Sequence, residues 1–333
     1  MSGGIGSADM DMDMDMDMDM DMDMSAGVMF MGGRGRVRPI GVSPALAYVR
    51  DQNNVLEDWY HSYKWPPADF QSQWVNAKPP AKGFPRRYWD PKLYAITVLG
   101  DFVQIVDPLT GKSAWDQYYN DLDAFLPKLQ ADIDKELAQL VTLIEYRPGV
   151  MSEALAQVSN PWAWFRGILM CDSQSAPATA ALVAICTHVG QFMAMHYKRE
   201  FNRPRPSQYS PALLPPIDVP GHPAFPSAHA TEAFLIARCL QEVMPPAAST
   251  PAGVDAPDDP PPPHPGISPL QQMASRIARN REVIGLHFPS DSKAGRVLAK
   301  KAFDILMKCT KVYDPTANPR DDLIYWAQKE WWP

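Results

Sequence analysis

The sequence predicts an all-α protein, a bundle of many helices, and three observations carry that prediction. From Asp90 onward, apolar residues recur at three- and four-residue spacing almost without interruption. The breaks between these runs fall at prolines or at a polar residue followed by proline, with Ser268-Pro269 the clearest case and Asn160-Pro161 another. No alternating strand pattern runs beyond about five residues.

Taken in order, residues 1–31 form an Asp-Met-rich tail in which eight aspartates alternate with methionine from Asp9 to Met24. The alternation has the period of a strand, but a row of aspartates on one face repels itself, so a disordered low-complexity tail is expected. Residues 32–89 are rich in Gly, Pro and Trp, with Ala45 to Tyr63 as the clearest periodic piece, and should wrap the outside of the domain. Residues 90–333 form the helical domain. Helices are expected over Pro91 to Ile105, over Ala114 to Glu145 with a break near Pro127, over Pro161 to Met170 and over Ala176 to Phe201. Further helices are expected over Ala228 to Met244, Pro269 to Leu286, Ser292 to Tyr313 and Asp321 to Trp331. Between two of them, 245–269 holds ten prolines and reads as an exposed polyproline-like loop, or else as a ligand for a proline-binding module.

The net charge of −7 belongs to the tail: without its eight aspartates, 30 acidic residues face 31 basic ones. Bulk charge therefore implies no nucleic-acid partner. The 46% hydrophobic content is enough for a sizeable core and excludes a collagen-like or wholly disordered chain. Cys171, Cys186, Cys239 and Cys309 lie far apart without metal-type spacing, so neither a disulfide framework nor a zinc site is expected. The amino terminus lacks the cationic start and apolar run of a secretory signal, and a cytoplasmic location is expected. The stretch Ala178 to Met195 is nearly long enough to span a bilayer, but Thr187, His188, Gly190 and Gln191 interrupt it. A buried central helix is the expectation, and membrane association is not.

Three clusters concentrate chemistry. Lys198, Arg199, Arg203 and Arg205 end the Ala176 helix, where cations suit the helix dipole whether or not they bind anything. In the second cluster, His222 and His229 flank Ser227, a natural N-cap, and the amides of Ser227, Ala228 and His229 would face an anion at the helix start. In the third, Arg281 lies within a helix, His287 near its end, and Pro289 forces a break before Asp291 caps the next helix. An aspartate near a histidine suits a structural cap and also an orienter that fixes the imidazole tautomer. Together these residues offer cations, a hydroxyl, a helix start and two histidines, an inventory suited to a tetrahedral or trigonal-bipyramidal oxyanion.

The order and spacing are Lys198-x6-Arg205-Pro206, then Pro226-Ser227-Ala228-His229, then Arg281-x5-His287-x3-Asp291. This resembles the signature of the superfamily that joins type 2 phosphatidic acid phosphatases, bacterial class A acid phosphatases and vanadium haloperoxidases. The chain departs from it at Asn280, where a serine is usual, and at Ala228, where the motif has glycine. Alanine fits there only with a negative φ and room for its methyl group.

The resemblance implies a fold and a set of roles. Lys198, Arg205 and Arg281 would hold the non-bridging oxygens of a phosphate, with Ser227 and the Ala228 amide completing the cradle. His287 would be the nucleophile, Asp291 would orient its far nitrogen, and His229 would protonate the leaving oxygen and then activate water. The implied activity is a metal-independent phosphoric monoester hydrolase with a phosphohistidine intermediate, no cofactor and a small phosphorylated substrate. The alternative is a vanadium-dependent haloperoxidase with vanadate on His287, peroxide and halide as partners, and His222 at the halide site or supporting the cradle. A non-catalytic anion-binding chain is the third reading. Three cations around the pocket would lower both histidine pKa values when it is empty, and a bound dianion would raise them.

Overall fold

A computed structural model describes residues 89–158, 162–245, 268–314 and 322–331. Eleven α-helices occur among them, and the one pairing of extended backbone is an isolated antiparallel bridge between Val106 and Ser113. The expectations for the Asp-Met tail, the wrapping segment and most of the proline-rich loop lie outside the described residues.

Helix α1 (Pro91–Gln104) starts where the sequence predicts, with Asp90 accepting from the Lys92 and Leu93 amides. The expected Ala114 to Glu145 helix is instead two, α2 (Tyr119–Asp123) and α3 (Gln130–Leu143). Tertiary contacts hold its first residues out of helix: the Tyr197 hydroxyl accepts from the Tyr118 amide at 2.9 Å and donates to the Trp115 carbonyl at 3.0 Å. The interruption from Ala124 to Leu129 contains Pro127. A 3₁₀ turn (Ile144–Tyr146) then leads into α4 (Arg147–Ala156), which falls between two of the expected helices. Its anchor is tertiary, because Arg147 donates to the carbonyls of Leu213, Leu214 and Val283.

After α5 (Trp162–Leu169) comes α6 (Pro177–Phe201), the longest helix among the described residues. No side chain of its own caps its start. Glu330 in α11 (Leu323–Trp331) does so from across the fold, accepting from the amides of Ala178 and Thr179 at 2.7 and 2.9 Å. Asn202 ends α6 in the left-handed region at φ 45°, a conformation that asparagine tolerates better than most residues. The short α7 (Pro206–Tyr209) and a 3₁₀ turn (Pro211–Leu213) follow.

Helix α8 (Ala228–Val243) is the axis of the domain and packs on α6, α9 (Pro269–Val283), α10 (Pro289–Leu306) and α11. Two glycines let its neighbours come close. A Cβ at Gly190 of α6 would lie 3.1 Å from Glu232 Cα, and one at Gly295 of α10 would lie 2.7 Å from the Ser227 carbonyl. Around this axis Leu182, Ile185, Val189, Leu235, Ile236, Leu240, Leu298 and Leu306 are fully buried, each contributing roughly 1.5–3 kcal/mol of transfer free energy.

Helix α10 begins at Pro289, not at Ser292, and ends at Leu306 rather than Tyr313. Phe288 is the N-cap, so Asp291 occupies the third helical position and reaches back to the Phe288 amide at 2.9 Å instead of capping the helix itself. Proline at the first helical position forces this phase, since its missing N–H costs nothing there. All four cysteines are free thiols. The stretch Pro177–Tyr209 is long and apolar enough to cross a membrane, and most of its apolar window is buried against the other helices.

Candidate active site

The three clusters singled out in the sequence converge on the start of α8. Lys198 sits in the last turn of α6, and the chain then leaves the helix at Asn202 and runs through Arg203 to Arg205, whose backbone is extended. It returns alongside itself, with the Ala224 amide donating to the Arg203 carbonyl at 2.8 Å. Ser227 caps α8, Arg281 lies in the last turn of α9, and the turn after α9 delivers His287 and then Asp291. Arg199, by contrast, is exposed.

Lys198, Arg205 and Arg281 are each at most 2% exposed, so their charges must be met by protein groups or a ligand. Lys198 Nζ donates to the carbonyls of Pro223 (2.6 Å) and Ala224 (3.0 Å), and an ammonium has a third N–H to offer. Burial, and after it the adjacent Arg205, push the ammonium pKa well below its usual range. Arg205 donates from Nε to the His222 carbonyl (3.0 Å) and from Nη1 to the Leu286 carbonyl (2.9 Å). Arg281 Nη2 donates to the Ala154 carbonyl and lies 3.5 Å from Gln157 Oε1.

The tautomer of His287 follows from its neighbours. Arg205 Nη1 lies 3.1 Å from Nε2, and a guanidinium can only donate, so Nε2 carries the lone pair. Nδ1 then bears the proton and donates to Asp291 Oδ2 at 3.1 Å. Burial, then Arg205 and Lys198, hold the imidazole pKa well below 6.5, so the ring is neutral at pH 7. The cations lower the histidine pKa values as expected, but burial is the larger cause.

Asp291 is fully buried and accepts from three directions. Besides His287 and the Phe288 amide, it takes Arg203 Nη1 on Oδ1 at 2.6 Å. Burial nevertheless pushes its pKa up, with Arg203 as the chief opposing influence. Arg203 also donates to Ser290 Oγ (2.7 Å) and Glu136 Oε2 (2.9 Å) and stacks 3.8 Å from the Phe288 ring centre. Glu136 accepts from both the amide and hydroxyl of Ser290. No motif in the sequence gives Arg203, Glu136 or Ser290 a role at the site. Arg203 at least lay in a basic cluster, whereas nothing local marks Glu136 in α3.

His229 is oriented by two carbonyls. Its Nε2 lies 3.2 Å from Gln157 O and 3.3 Å from Val158 O, so Nε2 bears the proton and Nδ1 the lone pair. Burial, then Arg281, lower its pKa to about 3, while the two carbonyls act in the opposite sense. His222 Nδ1 accepts from Arg205 Nη2 at 2.9 Å, and burial, Lys198 and Arg205 bring its pKa to about 4. The Pro223 carbonyl, 3.3 Å from the same Nδ1, then faces a lone pair and makes no hydrogen bond.

One expectation at the helix start is corrected. The Ser227 amide donates to the Asp291 carbonyl at 3.0 Å, because α10 packs directly on the cap, so it is not aimed at an anion. Ser227 Oγ accepts from the Ala230 amide. The amides of Ala228 and His229, which have no intrahelical acceptor, are the donors a helix start retains for an anion. Ala228 has a negative φ, since the non-glycine residues at positive φ among the described ones are Met170, Asn202 and Leu214. Its methyl group therefore imposes no backbone strain.

Among the described residues no group of three or more His, Cys, Asp or Glu side chains is placed to hold a metal ion. No protein-family model matches the chain, and no curated protein matches it.

Proposed function

We propose that the chain is a metal-independent phosphoric monoester hydrolase of the acid phosphatase and vanadium haloperoxidase type, acting through a phosphohistidine on His287. The observation that carries this reading is the line Arg205–His287–Asp291, which puts a proton on Nδ1 and a lone pair on a buried, neutral Nε2. A nucleophilic imidazole needs its lone pair on the attacking nitrogen and a partner that orients the other nitrogen, and the Nδ1–H bond to Asp291 provides that arrangement.

In this reading Lys198, Arg205, Arg281 and the amides of Ala228 and His229 take the non-bridging oxygens, and Arg205 moves its Nη1 hydrogen from His287 to the phosphate. The lone pair of His287 Nε2 attacks phosphorus; the P–N bond forms as the bond to the ester oxygen breaks. Nδ1 of a protonated His229 gives its proton to that oxygen. Water then attacks phosphorus and loses a proton to the same Nδ1, the P–N bond breaks, and phosphate leaves. The dianion raises the pKa of His229 on binding, which supplies the protonated acid from a group that is neutral in the empty site. Charge on the equatorial oxygens is met by fixed cations, the main requirement of phosphoryl transfer.

The test is hydrolysis of p-nitrophenyl phosphate in the presence of a chelator, with orthovanadate as an inhibitor and acid-labile, base-stable label trapped on the protein from [³²P]-ester. Absence of hydrolysis and of label would overturn the proposal. The bond between His222 and Arg205 favours a second reading, in which the same cradle holds vanadate as cofactor. Lys198, Arg205, Arg281 and His287 would hold that group, whose bound form supplies peroxide activation. Bromide oxidation with vanadate and peroxide, in a protein that leaves phosphate esters untouched, selects it.

A further inference from the structure

The end of α4 reaches two of the site residues at once. Gln157 is fully buried, just past the last residue of the helix. Its Nε2 donates to Glu153 Oε1 at 2.8 Å, and its Oε1 accepts from Asn280 Nδ2 at 2.9 Å. Asn280 sends a second hydrogen of the same amide to Glu153 Oε1 at 3.1 Å, and Glu153 is held in addition by Arg276. The result is a buried clasp of Glu153, Gln157 and Asn280 that fastens the last turn of α4 to α9, one residue from Arg281.

The clasp decides where three carbonyls point. Ala154 O receives Arg281, and the carbonyls of Gln157 and Val158 receive His229. An oxygen that can only accept dictates the tautomer of the ring it meets. Asn280 also gains an explanation, because its amide has two hydrogens for two acceptors, whereas a serine hydroxyl has one.

We propose that Gln157 is a positioning residue which, through the clasp with Glu153 and Asn280, fixes His229 as the Nε2–H tautomer and sets the guanidinium of Arg281. Nδ1 is thereby the nitrogen that exchanges the proton with the leaving oxygen and with water. The kinetic consequence rests on the phosphohydrolase reading; the tautomer does not.

Long-range ¹H–¹⁵N spectra of histidine-labelled full-length protein test it, with His229 assigned from the resonances lost in His229→Gln. The wild type is expected to show His229 as Nε2–H at pH 7, and Gln157→Met, of similar length but without the hydrogen bonds, is expected to mix the tautomers. In turnover, Gln157→Met should lose about 10²-fold on an alkyl phosphate, whose leaving oxygen needs a proton. It should lose far less on 2,4-dinitrophenyl phosphate, whose leaving oxygen does not. If Gln157→Met does not fold, Asn280→Leu, which keeps the shape of the side chain and removes both donors, opens the same clasp and is measured in the same way. An Nδ1–H tautomer in the wild type, an unchanged tautomer in the variant, or equal losses on both esters overturns the proposal. A wild type inactive on every ester, yet with an Nε2–H tautomer that Gln157→Met destroys, sinks the phosphohydrolase reading and leaves the positioning role standing.

Discussion

Arg203 Nη1 lies 2.6 Å from Asp291 Oδ1, inside the domain, where the arginine is 6% exposed and the aspartate not at all. The pair holds the carboxylate that orients His287, and Glu136 holds the other arm of the arginine. Breaking a buried pair by removing one partner typically costs about 3–5 kcal/mol, because the remaining charge is left unmet. Arg203→Met should lower the stability from denaturant unfolding by that order, and Arg203→Lys by less. A Met variant with the wild-type midpoint would show that the pair does not govern Asp291.

If the two histidines divide the work as proposed, their deletions should differ. His287→Ala should abolish both turnover and label incorporation. His229→Ala should still form labelled protein from an ester with a good leaving group and then release it slowly. Full activity in the His287 variant would refute the assignment of the nucleophile.

Close approach at the start of α8 depends on the missing side chain of Gly295. In Gly295→Ala the new methyl would meet the Ser227 carbonyl at 2.7 Å and the Ala230 Cβ at 2.9 Å, so α8 or α10 must shift. Overpacking of this kind costs typically 1–3 kcal/mol. Phosphate affinity by calorimetry should fall as well, since the displaced residues carry the helix-start amides; unchanged stability and affinity would contradict the packing argument.

Ala228 occupies its place without strain, so glycine there should bring no gain. Ala228→Gly is expected to lower stability by up to about 1 kcal/mol through greater freedom of the unfolded chain. It should not raise turnover. An inert wild type that becomes active on this exchange would instead identify the methyl group as an obstruction.

The buried histidines tie the site to pH. His229 and His222 have folded pKa values of about 3 and about 4 against an ordinary 6.5, so between those values the unfolded chain binds more protons than the folded one. Stability is therefore fully present above about pH 6.5 and is lost as pH falls towards 4 and then 3. Thermal midpoints measured across that range should decline. Because a bound dianion raises the same pKa values, phosphate binding near neutral pH should take up protons, seen as a buffer-dependent enthalpy. A stability that rises on acidification would contradict the assignment.

Much of the helical frame was legible in the chain. Asp90, Ser227 and Ser268 each stand before a helix that starts where they indicate, since capping is a contact between near neighbours. The phase of α10 is not legible in the sequence, because Asp291 has the chemistry of a cap and only the helical geometry after Pro289 shows it acting from the third position. Helix α4 is hidden for a different reason: Arg147 anchors it to carbonyls 66, 67 and 136 residues away in sequence.

The site divides in the same way. Motif spacing singled out Lys198, Arg205, Ser227, Ala228, Arg281, His287, Asp291, His229 and His222, because each lies in a short segment whose residue types already suggest an anion. Glu136 and Gln157 lie outside those segments, and Arg203, Asn280 and Ser290, which lie within or beside them, show no local sign of the partners they take. Their roles arise from packing α3 and α4 against the ends of α9 and α10, which places a buried carboxylate on a buried arginine and two carbonyls on an imidazole. Residue types and their spacing along the chain mark the side chains suited to an oxyanion. The tertiary structure decided which nitrogen of each histidine holds the proton, since that depends on hydrogen-bond partners supplied by distant parts of the chain.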